Sequence, residues 1–450
     1  MAVASLNLDA HSPECRNIPF RDEQCAVTQP RFIARALIAL IALTAAGCTT
    51  SAGAIPRAGT VVVTPATSTA DEPVSVRLSR LPATSNVQVT LSSTDDHKVQ
   101  WRSAATFRTD GRGALDLNSA PALAGSYTGV DGMGLFWSMQ PSSSAAAAGA
   151  DAYYWPLGAS AFELLAKARG HIVGRTDFRR GLTSGPLRYR DLTIAKAGFV
   201  GTYVWPAGVS RHRPAVLLFG GSEGGHPGFL SVDALVSRGY PVLALTYFRA
   251  PGLPQSLSQV PLEYFGRALS WLSRQPEVDP HRIMVQGVSR GSEAALLLGV
   301  HYPNLVHAVV AGVPSNVALC SYPGCATGAW TWQGKLVPFT HQFDEPKPSD
   351  DAGAVIPVEQ IHGPVLLDCG GRDDTWTSCD FAHAIIARLR AHHHPYGDVL
   401  AEFPDAGHGS GRFFPYEPIA DHSASTFVQD QRAAERAWPA LLAFLARSTA

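Results

Sequence analysis

Charge is scarce in this chain: Asp, Glu, Lys and Arg make up 16% of it, and 36 basic against 37 acidic residues leave a formal net charge of −1. Proteins that grip a phosphate backbone carry a basic surplus, so nucleic acid is not an expected partner. Long apolar runs are also lacking. The greasy stretch at residues 36–43 is too short to cross a bilayer, which limits any membrane contact to an N-terminal signal or anchor. No Cys/His cluster has the spacing of zinc ligands, and no metal is expected. The triplet His392-His393-His394 reads as decoration of a solvated loop after a helix.

What the chain has is apolar bulk. A hydrophobic fraction of 46% over 450 residues supports large buried cores and favours two folded domains. Residues 1–48 read as an export signal: Arg31 and Arg35 precede the apolar run, which exits through Thr44-Ala45-Ala46-Gly47-Cys48. Gly47-Cys48 resembles the lipobox of bacterial lipoproteins, which makes Cys48 the lipidation candidate, although Ala45 stands where that pattern usually has Leu. The expected location is the cell envelope, as a periplasmic protein or membrane-anchored lipoprotein. A cytoplasmic protein is the alternative if the leader is not a true signal. Beyond Cys48, the close pairs Cys320 and Cys325, and Cys369 and Cys379, suggest two disulfides formed in an oxidising compartment.

Residues 49–58, rich in Ser, Thr, Ala and Pro, read as a linker. From residue 59 short runs such as Val74-Ser75-Val76-Arg77-Leu78 and Val87-Gln88-Val89-Thr90-Leu91 alternate apolar with polar, the period of half-buried strands. Turn signals such as Asp110-Gly111 separate them, so residues 59–183 are expected to form a small antiparallel β-sandwich. The low-complexity stretch at 142–149 is expected to be a loop. In residues 184–450 the pattern changes to continuous apolar runs at 214–219, 241–245, 282–286, 307–311 and 364–368. Helix candidates at 232–237, 262–274 and 293–300 lie between them. Apolar strands alternating with helices mean a mostly parallel sheet covered on both faces, an α/β domain.

The chemistry lies at the strand ends. A strand ends at Gln286, Gly287-Val288-Ser289-Arg290-Gly291 follows, and a helix begins near Glu293. That is the strand–elbow–helix context a GxSxG motif requires, and it predicts an α/β-hydrolase with Ser289 as nucleophile. A serine needs a base, and the base needs an orienting acid. In this fold the acid and then the histidine follow the serine in the chain. The strand at 365–368 leads into Cys369-Gly370-Gly371-Arg372-Asp373-Asp374, which favours Asp374 as the acid with Asp373 as the alternate. His408, in the Gly-flanked loop Asp405-Ala406-Gly407-His408-Gly409, is the expected base. His301, His307 and His362 read as surface or core residues. For the oxyanion hole, one donor is expected from the backbone N–H of Arg290. The other is expected from Ser222 or Glu223, in the glycine-rich loop Gly220-Gly221-Ser222-Glu223-Gly224-Gly225.

The residues around these positions resemble a known family, the acyl-CoA thioester hydrolases and bile acid-CoA:amino acid N-acyltransferases. The resemblance is carried by Leu245-Thr246-Tyr247-Phe248, Gly252-Leu253-Pro254, Pro261-Leu262-Glu263-Tyr264-Phe265, the elbow through Ser292-Glu293, Gly371–Ser378 and Pro404–Gly409. In the N-terminal region it continues through Gly125–Asp131 and Met133–Met139. It implies a β-sandwich followed by a catalytic domain that attacks an acyl thioester and forms an acyl-enzyme. The family's transfer members use cysteine as nucleophile and its hydrolytic members use serine, so Ser289 implies water as the acceptor. The family's acid and histidine map onto Asp374 and His408. Arg290 and Ser292 make the surroundings of the serine bulkier and more polar than in glycine-rich relatives, with a consequence expected for substrate preference.

The leading expectation is therefore acyl-thioester hydrolysis through an acyl-enzyme on Ser289, without metal or organic cofactor. An exported protein would meet little acyl-CoA, so a periplasmic carboxylesterase acting on oxygen esters is the second reading. An inactive envelope binding protein on a hydrolase fold is the third.

Overall fold

The computed structural model describes residues 59–448, apart from 148, 157 and 209–211. The export signal, Cys48 and the linker at 49–58 lie outside the described residues. The first part of the chain builds two β-sheets. Thr60–Thr64, Ser75–Ser79 and Leu115–Asp116 form a three-stranded antiparallel sheet. The second sheet runs in the order Thr67–Thr69, His171–Gly181, Ala159–Ala168, Asn86–Thr94, Gln100–Arg108, Ala124–Gly125. Its first pair is parallel and the others are antiparallel. Alternation puts Val87, Val89, Leu91, Phe162, Leu164 and Ala166 on the inner face of the sheet, all buried. The stretch expected to be a loop at 142–149 contains a short helix, Ser143–Ala147; a run of serine and alanine has high enough helix propensity to close one turn.

The last strand of that region ends at Gly181, and a third sheet starts at Leu187. Its strands are β1 (Leu187–Leu192), β2 (Val200–Pro206), β3 (Arg213–Phe219), β4 (Val242–Thr246), β5 (Val278–Val288), β6 (Ala308–Gly312), β7 (Val365–Gly370) and β8 (Val399–Phe403). They lie in the order β1-β2-β4-β3-β5-β6-β7-β8, and only β2 runs against the rest. The helices α1 (Phe229–Ser237), α2 (Leu262–Leu272), α3 (Arg290–His301), α4 (Ser378–Ala391) and α5 (Phe427–Ser448) cover its two faces.

The period of two in the strands sorts their side chains between two cores. Ala215, Leu217, Phe219, Leu243, Leu245, Val285, Val309, Leu367 and Cys369 pack in one core with residues of α2, α3 and α4. Their neighbours in sequence, Val216, Leu218, Val242, Ala244, Met284, Val310 and Leu366, pack in the other with residues of α1 and α5. A side chain of this size fully buried contributes about 1.5–3 kcal/mol, so both faces need cover. This is the α/β-hydrolase architecture. The chain passes from β3 to β4 on one side and returns to β5 on the other, so the carboxyl ends of β3 and β5 meet where the winding reverses. Such a point leaves an open crevice for a ligand.

Among the described residues no helix is long and apolar enough to cross a membrane. The histidine triplet departs from expectation at its last member. The chain turns back after α4, and the His394 side chain is only 2% exposed. Its ring nitrogens reach Asp398 Oδ2 at 2.8 Å and the Ile361 carbonyl at 2.9 Å. Asp398 also accepts the Val365 N–H at 2.9 Å, so this contact pins the start of β7. His392 and His393 are exposed.

Candidate active site

Ser289 occupies the turn between β5 and α3 with φ 54° and ψ −125°, a left-handed conformation that a non-glycine residue adopts only when the surroundings impose it. The two flanking glycines are what the turn requires. A Cβ on Gly287 would collide with the Gly291 carbonyl, and one on Gly291 would collide with the Gly220 carbonyl. The turn is held by the Ser289 N–H donating to Gly312 O at 2.9 Å and by Ser292 Oγ donating to Ser289 O at 2.6 Å.

His408 follows β8 and brings Nε2 to 2.9 Å from Ser289 Oγ. Its Nδ1 lies 2.8 and 3.0 Å from the two carboxylate oxygens of Asp373. The acid expected at Asp374 is thus corrected to the alternate, Asp373. The Asp373 side chain is 1% exposed and its Oδ1 also accepts the N–H groups of Thr375 and Trp376, whereas Asp374 is exposed. The reason is local: Asp373 turns inward to cap the backbone ahead of α4, and that turn sends its neighbour outward. His301 stacks on Trp332, His307 accepts the Ile283 N–H, and His362 is exposed.

The glycine-rich loop after β3 reaches the serine at Gly221, where a Cβ would lie 2.9 Å from Ser289 Cβ. The fully buried Tyr247 hydroxyl holds this loop, donating to the carbonyls of Gly220 and Gly221, both at 2.9 Å. Burial holds its phenol well above the usual pKa range, which keeps it a donor. Gly221 N–H is taken by the Glu223 carboxylate at 2.8 Å, so Glu223 folds its side chain back onto its own loop. Arg290, as the first residue of α3, has no intrahelical acceptor for its backbone N–H, and the helix terminus favours negative charge there.

The side chains of Arg290 and Ser292 do not crowd the nucleophile as their size suggested. Arg290 is buried, pairs with Glu293 and donates to Cys320 O at 2.7 Å. Glu293 in turn accepts Leu319 N–H and the Trp330 indole N–H, each at 2.9 Å. Ser292 Oγ receives Ser315 N–H at 3.3 Å. Together they tie the elbow to the segment after β6. That segment carries the disulfide between Cys320 and Cys325, and a second disulfide joins Cys369 to Cys379. Asp373 lies inside the second disulfide's loop.

Three supports escaped sequence reasoning. Trp376 packs edge-on to His408, with ring centroids 5.5 Å apart, and its indole donates to Val313 O at 3.2 Å. Asp430, in the first turn of α5, accepts the Gly407 N–H at 2.6 Å and so steadies the histidine loop. Its carboxyl is pushed above the ordinary range, chiefly by burial. The third is Tyr247. Trp376 and Tyr247 stand within motifs that carried the resemblance, but Asp430 has no local signal and reaches its partner only through the packing of α5. Among the described residues no group of three His, Cys, Asp or Glu side chains is arranged to hold a metal ion.

Residues 71–165 match the family model described as the acyl-CoA thioester hydrolase/BAAT N-terminal region, and residues 260–450 match BAAT / acyl-CoA thioester hydrolase C terminal. The chain is 28% identical over 361 residues to acyl-coenzyme A thioesterase 6 of Mus musculus, spanning 75% of this chain and 82% of that one. It is 30% identical over 372 residues to acyl-coenzyme A amino acid N-acyltransferase 2 of Rattus norvegicus, spanning 77% and 86%. Among solved structures, an alpha/beta hydrolase enzyme from a Medee basin deep-sea metagenome library aligns with a TM-score of 0.41 at 17% identity. That alignment covers 58% of this chain and 98% of the other.

Proposed function

We propose that this chain, which belongs to the acyl-CoA thioester hydrolase/BAAT family, hydrolyses acyl thioesters through an acyl-enzyme on Ser289. The observation that carries the reading is the continuous chain from Ser289 Oγ to His408 Nε2 at 2.9 Å and from His408 Nδ1 to Asp373 at 2.8 Å. His408 takes the proton as Ser289 Oγ attacks the acyl carbonyl, and Asp373 stabilises the imidazolium that forms. The oxyanion is received by the Arg290 N–H and by Ser222 or Glu223 in the loop, Gly221 N–H being already engaged by Glu223. Collapse returns the proton to the departing thiol. Water, activated by the same histidine, then releases the acid and frees Ser289. The resemblance ties serine, as opposed to cysteine, to hydrolysis, which is why water and not an amine is named as acceptor.

A second reading is favoured by the two disulfides, which persist in oxidising compartments and not in the cytosol. With the signal-like residues 1–48 they support a protein of the cell envelope, where oxygen esters are more accessible than acyl-CoA. The test is to offer the purified protein acyl-CoAs of several chain lengths beside p-nitrophenyl esters, with Ser289→Ala as control. Thiol release lost in the variant supports the thioesterase. Ester cleavage alone, also lost, moves the function to an envelope esterase. Activity that survives Ser289→Ala refutes the mechanism, and inactivity on the whole panel favours a binding protein.

A further inference from the structure

The seam between the sandwich and the catalytic domain buries a cation whose donors are only partly used. Arg180, from the strand His171–Gly181, is 1% exposed. Its Nη2 donates to the carbonyls of Thr69 at 3.1 Å, Ala70 at 2.7 Å and Glu72 at 2.6 Å, and the guanidinium lies 4.6 Å from the centre of the Phe136 ring. Nε and Nη1 meet no acceptor among the described residues. Among the described residues no carboxylate forms an ion pair with Arg180. Asp71, whose charge it feels, is engaged by Arg238 and by the Trp438 indole, and the Glu72 carboxylate accepts the Thr69 N–H. A buried cation whose neighbouring carboxylates are engaged elsewhere is costly, and a further counter-charge is expected to be supplied.

Against Arg180 lies a cavity of about 10 Å³, also lined by Trp155 and Tyr416, with Phe136, Met139 and Phe162 among its walls. The buried Trp155 indole N–H likewise has no acceptor among the described residues. The volume admits a single small sphere, a water molecule or a monatomic ion for which the walls give slightly. The chemistry of the lining distinguishes what that sphere is. Arg180 and Trp155 can only donate, and apart from the Tyr416 oxygen the lining side chains are carbon and thioether. A water would have to find acceptors for its own two hydrogens there, whereas an anion only accepts.

We propose that this cavity is a binding site for one small monovalent anion, chloride, held by Arg180 Nε and Nη1, the Trp155 indole and the Tyr416 hydroxyl. Arg180 and Trp155 come from the sandwich part of the chain, and Tyr416 follows the His408 loop in the catalytic part. The anion therefore ties the two domains together at a point connected by a short stretch of chain to the catalytic histidine.

The test uses the full chain in chloride and in gluconate at fixed ionic strength, and crystals soaked in bromide. Chloride about tenfold above its Kd is expected to raise Tm by about 1–2 °C for a protein of this size, and bromide to give an anomalous peak in contact with Arg180. Arg180→Met should abolish the chloride-specific shift. If that variant does not fold, Trp155→Phe removes one donor while keeping an aromatic wall and should weaken the shift. Equal Tm in the two salts, an ordered water with no bromide peak, or a chloride shift unchanged in the folded variants would each overturn the proposal.

Discussion

Asp373→Asn and Asp374→Asn form the sharpest pair of perturbations, because adjacent identical residues are given opposite fates. The Asp373 carboxylate accepts the hydrogen bond of His408 Nδ1–H, its two oxygens lying at 3.0 and 2.8 Å, and is 1% exposed, so water cannot replace it. An asparagine there can turn its N–H towards Nδ1. The ring then carries its proton on Nε2 and can no longer accept one from Ser289, and no anion stabilises the imidazolium. In hydrolases that share this constellation the same change costs about 10⁴-fold in kcat, or about 5.5 kcal/mol of transition-state stabilisation. Asp374 is exposed, and an exposed substitution away from partners stays within about 0.5 kcal/mol, roughly a factor of two. The assay is kcat on the best substrate of the acyl-CoA and ester panel, with Tm recorded for both variants to exclude unfolding. A loss of more than tenfold in Asp374→Asn, with Asp373→Asn retaining most activity, would refute the assignment.

Removing the Cys369–Cys379 disulfide by double substitution to serine frees a loop with a sequence separation of 10. The loop-entropy relation puts the loss at about 2.5–3 kcal/mol, measurable as a lower urea midpoint. Because Asp373 lies inside that loop, kcat should fall under conditions where the variant is still folded, and an unchanged kcat would separate the loop from the site. Glu293→Ala strands the buried Arg290 charge and leaves Leu319 N–H and the Trp330 indole without an acceptor, at a cost of about 3–5 kcal/mol by chemical denaturation. A loss below 1 kcal/mol would contradict that role. Asp233, 7% exposed and bonded by the Tyr189 hydroxyl at 3.1 Å, has its carboxyl pushed up to about 6 by burial. The folded state therefore binds that proton more tightly than the unfolded one. Stability falls as pH rises from about 4 through 6 and stays lower above, by on the order of 2–3 kcal/mol. Asp233→Asn should remove this slope from the pH dependence of stability, and an identical profile in both proteins would refute it.

The local features of this protein were legible one residue at a time. The period of two in runs such as Val74-Ser75-Val76-Arg77-Leu78 marks half-buried strands, continuous apolarity in runs such as Pro214-Ala215-Val216-Leu217-Leu218-Phe219 marks a sheet covered on both faces, and glycines around Ser289 mark a turn too tight for a Cβ. These are properties of short segments and need no knowledge of what lies across the molecule. The same holds for the histidine loop, since few glycine-flanked histidines follow the last strand. Only the tertiary structure decided between Asp373 and Asp374, because spacing along the chain does not say which of two neighbours faces inward once a turn precedes α4. Nor could spacing direct the Arg290 side chain. It lies next to the nucleophile in sequence, but the acceptors that draw it away, Glu293 and Cys320 O, include one that becomes a neighbour only when the segment after β6 folds back. His394 was misread for the same reason, its partners Asp398 and Ile361 being brought together by a turn and a long-range contact. Asp430 and Arg180 are the extreme cases: each acts on a part of the chain far away in sequence. Distances of that kind are set by how helices and sheets pack, and no local pattern encodes them.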